Sequence, residues 1–172
     1  MTASHPQEDS RPLIPPDLLT NLWNEHSATL QLIARSRCTS PEDCVQEAFV
    51  RLSKQTQMPN DPMAWLVRVT RNEAITKWRS ENRRKLHEKK HASERTPWFI
   101  PNSDADDTPN PDELQNALTQ LEPDCREIVI AHVWGKLTFR QIAEAFDISN
   151  STAHRQFLAG IERLKELLGA RT

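Results

Sequence analysis

The most constraining feature of the chain is a pair of helix starts that lie one short turn apart within residues 137–157. Thr138 is followed three residues later by Gln141, which is the spacing of a capping box, and Ser149 can cap a second helix. The segment between the two helices is too short for a loop. These residues therefore predict a helix-turn-helix with a recognition-type second helix, and an ordinary pair of packed helices is the alternative.

Apolar residues in both predicted helices recur three and four positions apart, so each helix has one buried face. The first helix turns Ile142, Ala143 and Phe146 inward. The second helix buries Ala153, Phe157, Gly160, Ile161, Leu164 and Leu168. Near its start, the second helix leaves four polar residues outward: Asn150, Ser151, His154 and Arg155. Gly160 costs about 1 kcal/mol relative to Ala inside a helix, which a close helix crossing can offset.

The remaining sequence predicts an all-α protein. Only 3 of its 172 residues are Gly, runs of β-branched residues are absent, and the apolar residues follow a helical period. The net charge of -2 is unevenly distributed, because residues 68–90 are strongly basic whereas residues 96–113 are acidic without a single Lys or Arg. The basic segment can therefore bind nucleic acid despite the negative overall charge.

The cysteines and the terminal segment indicate a cytoplasmic protein. Cys38, Cys44 and Cys125 are odd in number and lack CxxC spacing, so we expect reduced thiols and no disulfide framework. The first sixteen residues have no apolar core of signal-peptide length. No apolar run approaches the roughly 20 residues that a membrane span needs.

Helix signals and composition divide the chain into four parts. Residues 1–16 form a polar, Pro-rich tail that we expect to be disordered, and residues 17–91 form a three-helix bundle. Residues 92–110 form a flexible, acidic, Pro-rich linker, although the apolar triplet at 98–100 has no evident role there. Residues 111–169 form a second domain that contains the helix-turn-helix.

Three helix starts define the predicted bundle. Asp17 opens the first helix, and Ser40 and Asp61 each cap a helix that has Pro at its first position. Inward-facing positions along the three helices are Leu18, Leu19, Leu22, Trp23, Leu30, Ile33, Val45, Ala48, Phe49, Leu52, Trp65, Leu66, Val69, Ile75 and Trp78.

The second domain opens with two further helices ahead of the helix-turn-helix. Asn110 can cap the first of them with Glu113 at the capping-box position. Behind this cap, its apolar face carries Leu114, Ala117, Leu118 and Leu121. The other helix starts near Pro123, presents Ile128, Val129 and Val133, and stops at Gly135.

Three segments together resemble a known family. The first domain resembles region two of bacterial extracytoplasmic-function (ECF) sigma factors. The segments that carry this resemblance are residues 41–52 (PEDCVQEAFVRL), residues 64–72 (AWLVRVTRN) and the later arginines of the basic helix. Residues 117–130 (ALTQLEPDCREIVI), which lead into the helix-turn-helix, resemble their region four. The resemblance implies two all-α domains that bind RNA polymerase core enzyme and direct it to a promoter, which makes the protein an alternative sigma factor.

The resemblance also implies a role for the helix that follows Ser40. Its residues match those that bind the β′ clamp helices of the polymerase: Asp43, Gln46, Glu47, Phe49 and Leu52. Phe49 can equally belong to the core, whereas Gln46 and Glu47 lie on the opposite side of the helix and are better contact candidates.

The resemblance further implies that the first domain reads the -10 promoter element. The matching residues, which would contact phosphates or melted DNA, are Arg68, Arg71, Asn72, Lys77, Arg79, Arg83 and Arg84. Asn72 can alternatively be a buried, hydrogen-bonded residue. The connector 53–60 matches the loop that captures an unstacked base, where Gln55, Thr56, Gln57 and Asn60 can read a base edge.

The second domain is expected to read the -35 element through the helix-turn-helix. The candidate contacts are Thr138, Arg140, Asn150, Ser151, Thr152, His154, Arg155 and Gln156. Gln156 stands where the family usually has a basic residue, and Ala159 and Gly160 replace an Arg-Ala pair. These departures shift the expected contacts toward Arg155, His154, Ser151 and Asn150.

The expected partners are RNA polymerase core, through its β′ clamp helices and β subunit, and promoter DNA, with an anti-sigma protein as a further candidate and no membrane. We expect no catalytic residue, metal site or cofactor. Two other readings of the chain exist. One is a stand-alone helix-turn-helix regulator, and the other is a metal-dependent DNA enzyme, which would need a carboxylate or His/Cys cluster.

Overall fold

The computed structural model of the chain describes residues 14–87 and 111–169, and this part is entirely α-helical. The helices are α1 (Pro16–Arg35), α2 (Pro41–Ser53), α3 (Pro62–His87), α4 (Pro111–Thr119), α5 (Pro123–Val133), α6 (Phe139–Phe146) and α7 (Asn150–Gly169). The all-α prediction is confirmed. Residues 1–13 of the predicted tail, the linker with its triplet at 98–100, and the Asn110 cap lie outside the described residues. Of the rest of that tail, Ile14 is buried against the bundle core and Pro16 begins α1.

Helices α1, α2 and α3 pack against one another as the predicted bundle. Their interior contains Leu30, Val45 and Leu66, which are all fully buried. Trp23 meets Phe49 edge to face with ring centroids 5.0 Å apart. The amphipathic pattern of the first two helices is thus satisfied by burial within one small bundle.

The predicted helix caps of the bundle have different outcomes. The backbone N–H of Ala64 donates to Asp61 Oδ1 at 2.9 Å, so Asp61 caps α3 as predicted. Ser40 precedes α2, but its side chain makes no capping hydrogen bond, and that prediction is wrong. The start of α2 is instead defined by Pro41 and by two acidic residues in the first turn, Glu42 and Asp43.

Three apolar residues predicted to face inward are exposed: Leu18, Trp78 and Val133. Leu18 lies in the first turn of α1, ahead of the part of that helix that the bundle covers. Helix α3 has 26 residues whereas α2 has 13, so the later turns of α3 extend past α2. The last fully buried position within 62–84 is Ala74, which explains why Trp78 remains 45% exposed.

The helix-turn-helix forms as predicted. The Thr138 side chain accepts a hydrogen bond from the backbone of Gln141, and the Gln141 side chain accepts one from the Thr138 N–H at 2.7 Å, which completes the capping box. Asp147 follows α6 in the left-handed conformation, with φ of 55°. Ser149 Oγ accepts from the backbone N–H of Thr152 at 3.1 Å and caps α7.

Two glycines of the second domain serve close packing. A Cβ on Gly160 would lie 2.8 Å from Val129 Cγ2, so α7 crosses α5 closely, as expected. Gly135 does not supply the left-handed residue after α5, because Lys136 does so with φ of 56°. A Cβ on Gly135 would instead lie 2.5 Å from the Ala131 carbonyl oxygen, which leaves no room for a side chain.

The two domains pack against each other. Helix α5 contacts α1, and α6 contacts α3. One hydrophobic cluster contains buried residues of both domains, among them Leu30 and Leu66 of the first and Ile128 and Phe146 of the second. The sequence predicted two domains on a tether and did not predict this contact.

Candidate nucleic-acid interface

The recognition helix α7 presents its first two turns to solvent. Asn150, Ser151, His154 and Arg155 are exposed, as the sequence predicted, whereas Thr152 and Gln156 are half-buried. The hydroxyl of Ser149 is within hydrogen-bonding distance of the hydroxyls of both Ser151 and Thr152. The side chains best placed to reach a groove are therefore Asn150, His154 and Arg155.

An aromatic cluster that the sequence did not predict packs against the N-terminal half of α7. The His132 ring stacks on Phe139 at 4.4 Å between centroids, and Phe157 lies edge-on to both rings. His154 packs edge-on against Phe139 at 5.0 Å. His132 Nδ1 is 2.7 Å from the Leu137 carbonyl oxygen, so this ring is also fixed to the loop ahead of α6. The cluster fixes the angle between α6 and α7.

The other two -35 candidates precede or begin α6. Thr138 is exposed, but its hydroxyl is engaged in the capping box. Arg140 has a side chain that is 85% exposed, with Nε 3.3 Å from Glu144 Oε1 one turn away. An ion pair this exposed is worth at most about 0.5 kcal/mol, so Arg140 can leave it for a phosphate.

The polymerase candidates on α2 separate into two groups by burial. Phe49 and Leu52 are buried in the bundle core, whereas Asp43 and Gln46 are exposed. Glu47 is half-buried, and its Oε1 accepts from Arg51 Nε at 2.8 Å. The outward face of α2 is therefore acidic and polar over its earlier turns, with Val50 and Arg51 exposed after them. The buried apolar residues hold this face in place from behind.

Most of the -10 candidates lie on the solvent side of α3. Arg68, Asn72, Arg79, Arg83 and Arg84 are exposed, so the buried alternative for Asn72 is wrong. Lys77 Nζ is 3.0 Å from Asp43 Oδ2, which links the basic helix to α2. In the connector, Thr56, Gln57 and Asn60 are exposed, while Gln55 donates to the Arg51 carbonyl oxygen at 3.2 Å.

Arg71 lies at the domain interface. Its Nε is 2.9 Å from Glu127 Oε2, and its Nη2 is 2.9 Å from Asp124 Oδ1. The guanidinium carbon is 4.6 Å from the ring centre of Phe146. Arg37 of the α1–α2 turn binds the same Glu127 carboxylate, through Nε at 2.7 Å and Nη2 at 3.1 Å, and also binds Asp124.

These four residues, Arg37, Arg71, Asp124 and Glu127, form the interdomain ion cluster. The Glu127 side chain is 0% exposed, and its two oxygens accept from both arginines. Burial on its own lowers the pKa of Arg37, but the hydrogen bonds and negative charges of Glu127 and Asp124 outweigh it and raise that pKa. Neither Glu127 nor Arg37 was a candidate from the sequence, since each is an ordinary polar residue of its own segment.

The cysteines are all free thiols. Cys38 Sγ, in the turn between α1 and α2, lies 3.4 Å from Cys44 Sγ in the first turn of α2, and both residues are buried. The hydrogen bond with Cys44 lowers the pKa of Cys38, and that same contact together with burial raises the pKa of Cys44. Within residues 14–87 and 111–169, no three His, Cys, Asp or Glu side chains are arranged to hold a metal ion. Of the described helices, none combines the length and apolar character that crossing a bilayer requires.

Comparisons with known proteins match both halves of the chain. The family model described as Sigma-70 region 2 matches residues 22–84, and the one described as Sigma-70, region 4 matches residues 112–164. A solved structure of the sigma factor RpoE from Bartonella quintana, in complex with the anti-sigma factor NepR, aligns with 92% of this chain and 100% of its own. The TM-score is 0.76 at 20% sequence identity, so this likeness concerns the fold. No curated protein sequence matches the chain.

Proposed function

We propose a specific role for each surface of this chain, which belongs to the sigma-70 family and carries its regions two and four. The chain is an alternative sigma factor that directs transcription initiation. The first domain, residues 17–91, binds core polymerase and the -10 element. The second, residues 111–169, binds the -35 element, and residues 92–110 connect them. The ordered pair of family regions carries this proposal, because a stand-alone regulator has no need of region two. The factor itself is non-enzymatic, and the chemistry belongs to the polymerase.

The polymerase contact lies on the outward face of α2. Asp43, Gln46 and Glu47 contact the β′ clamp helices, and their position on one exposed helix face supports this assignment. Phe49 and Leu52 act from the core by holding that face in place. Interfaces of this kind depend on a few side chains, so loss of one or two contacts is sufficient to weaken binding.

The -10 element meets the basic face of α3. Arg68, Arg79, Arg83 and Arg84 contact phosphates, and Asn72 and the connector residue Asn60 face bases of the melted strand. Lys77 joins them by exchanging Asp43 for a phosphate, because the Asp43 end of their ion pair is exposed to solvent.

The -35 element meets the start of α7. Asn150, His154 and Arg155 read base edges in the major groove, and Arg140 with the α6 cap region contacts the backbone. Ser151, Thr152 and Gln156 lie beside them, and Thr138 acts chiefly through its capping box.

The protein works in the bacterial cytoplasm, where core polymerase and reduced thiols are found. The Bartonella quintana relative was solved with an anti-sigma factor bound. We extend that kind of partner to this chain, so that an anti-sigma protein controls its access to polymerase.

Transcription from a randomised promoter library tests the proposal directly. Purified core enzyme with the full-length chain should yield run-off products from a recurring two-part promoter sequence, and core enzyme alone should not. Absence of promoter-specific products with active core enzyme would refute the proposed function.

The polymerase surface has its own test. The double variant Gln46→Ala, Glu47→Lys should bind core enzyme at least about tenfold more weakly, equivalent to about 1.4 kcal/mol. Thermal unfolding should change little, because exposed substitutions stay within about 0.5 kcal/mol. Glu25→Lys, at an exposed position of α1, is the matched charge-reversal control and should retain full affinity. Equal affinity for both variants would place the interface elsewhere.

A further inference from the structure

The second domain covers part of the surface that the first domain uses for -10 DNA in the proposed function. Arg71, one of the -10 candidates, has a side chain only 15% exposed, because Asp124 and Glu127 of α5 take its hydrogen bonds. Phe146 of α6 covers the guanidinium. A phosphate cannot reach Arg71 while α5 and α6 remain there.

The same domain also borders the end of the base-reading connector, whose own polar residues Thr56, Gln57 and Asn60 stay exposed. Gln141 of α6 donates a hydrogen bond to Asp61, which directly follows Asn60. Asn60 and Arg68 line a cleft of about 210 Å³, and Glu144 of α6 lies on its opposite wall. Asp124 and Glu127 of α5 and Glu144 of α6 are therefore placed beside the predicted -10 surface.

The chemistry of the interdomain ion cluster resembles that of phosphate binding. A carboxylate and a phosphodiester each present oxygens that a guanidinium can bind with two parallel hydrogen bonds. Glu127 uses both of its oxygens in this way, between Arg37 and Arg71. A buried carboxylate requires such partners, so once the domains separate, the two arginines are left free to take another anion.

The recognition helix is not covered in this arrangement. Asn150, His154 and Arg155 are exposed while Arg71 is enclosed. The compact chain can therefore meet duplex DNA at its -35 surface but not at its full -10 surface.

We propose that Arg37 and Arg71 form a two-arginine site for a nucleic-acid phosphate, and that Asp124, Glu127 and Glu144 occupy this surface as internal competitors in the free protein. This inference rests on the proposed function, in which the basic face of α3 meets -10 DNA, and it extends that face to Arg71, a -10 candidate from the sequence. It adds Arg37 as a phosphate contact and makes separation of the domains a condition for -10 binding. The apparent affinity for DNA is then the intrinsic affinity reduced by the fraction of open molecules.

Charge reversal at the buried carboxylate provides the test. Glu127→Arg places a third cation between Arg37 and Arg71, so the full-length variant should show a larger radius of gyration by small-angle X-ray scattering. Its affinity for a labelled single-stranded DNA of mixed sequence should rise at least about tenfold, because at most about a tenth of wild-type molecules are open. Glu166→Arg makes the same charge change on α7, away from the interface, and corrects for the added positive charge.

Two further variants separate the inference from trivial explanations. Arg37→Glu combined with Glu127→Arg restores opposite charges and should return the chain toward the compact form with weaker DNA binding. Glu127→Gln keeps the shape of the side chain and should act in the same direction as Glu127→Arg, which covers the case in which the reversal impairs folding.

Several outcomes would overturn the inference. The first is a Glu127→Arg chain that expands but gains no more DNA affinity than Glu166→Arg does. The second is a Glu127→Arg chain that stays compact. The third applies where Glu127→Arg fails to fold, and it is a Glu127→Gln chain that gains no DNA affinity. Run-off transcription by wild-type protein distinguishes such a failure from failure of the proposed function, since it requires promoter recognition but no particular closed form.

Discussion

Gly160 lies where α7 crosses α5 at close range. The helix-propensity gain of Gly160→Ala is about 1 kcal/mol, but overpacking a filled core typically costs about 1–3 kcal/mol. The new methyl group would lie 2.8 Å from Val129 Cγ2, and Val129 is buried and short, so it cannot swing aside. We expect Gly160→Ala to destabilise the protein by about 1 kcal/mol in urea unfolding.

A double-mutant cycle checks the cause. Val129→Ala makes room for the methyl group, so the combined variant should be more stable than the sum of the two single changes by about 0.5 kcal/mol or more. Simple additivity, or a stabilising Gly160→Ala, would show that α5 and α7 can move apart without cost.

Local residue roles were predictable, and distant ones were not. Asp61, Thr138 and Ser149 were identified as caps because a cap depends on residues two or three positions away. Glu127 was not identified, because its partners Arg37 and Arg71 are 90 and 56 positions away in sequence. Its burial follows from contact between domains, for which no local pattern exists.

At the scale of one element, α7 combines a reading face and a packing face. Arg155 is exposed near its start, and an arginine that pairs bidentately with guanine contributes about 1–3 kcal/mol of discrimination. We therefore expect Arg155→Ala to relax base preference at one or two adjacent -35 positions. Selection of bound sequences from a random -35 library measures this.

Two variants of the same helix serve as controls. Arg163→Ala removes the same charge about two turns further along α7 and should leave base preference intact. Phe157→Ala removes a ring from the aromatic cluster. Because this ring is only half-buried, the substitution should cost about 3 kcal/mol of stability, the low end for such truncations, without a position-specific change in base preference. A uniform loss of binding in Arg155→Ala would make Arg155 a phosphate contact instead.

Helix existence was predictable, whereas the extent of burial along each helix was not. Apolar residues that recur three and four positions apart located α2 and α7 within a residue or two. The pattern could not show that α3 extends past its partners, so Trp78 was assigned to the core although it is exposed. Burial at such a position depends on the length of the neighbouring helices.

At the scale of the whole molecule, the polar segment 92–110 predicted two independent domains, but the described residues pack as one body. The residues that make this contact had already been explained within their own domains. Leu30 and Phe146 satisfy the amphipathic pattern of α1 and α6 whether or not the domains touch. Sequence periodicity identifies an apolar face, but it does not identify what covers that face.

This shared core leads to a prediction about unfolding. Buried residues of both domains belong to one hydrophobic cluster, and the interdomain ion cluster joins the same helices. Loss of one partner from a buried ion pair typically costs about 3–5 kcal/mol, which is comparable to the whole stability of a small domain. We therefore expect the wild-type chain to unfold in a single calorimetric transition, and Glu127→Arg to unfold in two, one for each domain.

The number of unfolding transitions in a control variant and in the wild type itself tests this prediction. Glu166→Arg, whose side chain lies on the exposed face of α7, should keep the single transition of the wild type. Two transitions in the wild-type chain itself would mean that the interface is too weak to couple the domains. In that case the closed arrangement would hold too small a share of free molecules to restrict access to Arg71, and the affinity gain expected of Glu127→Arg would shrink with it.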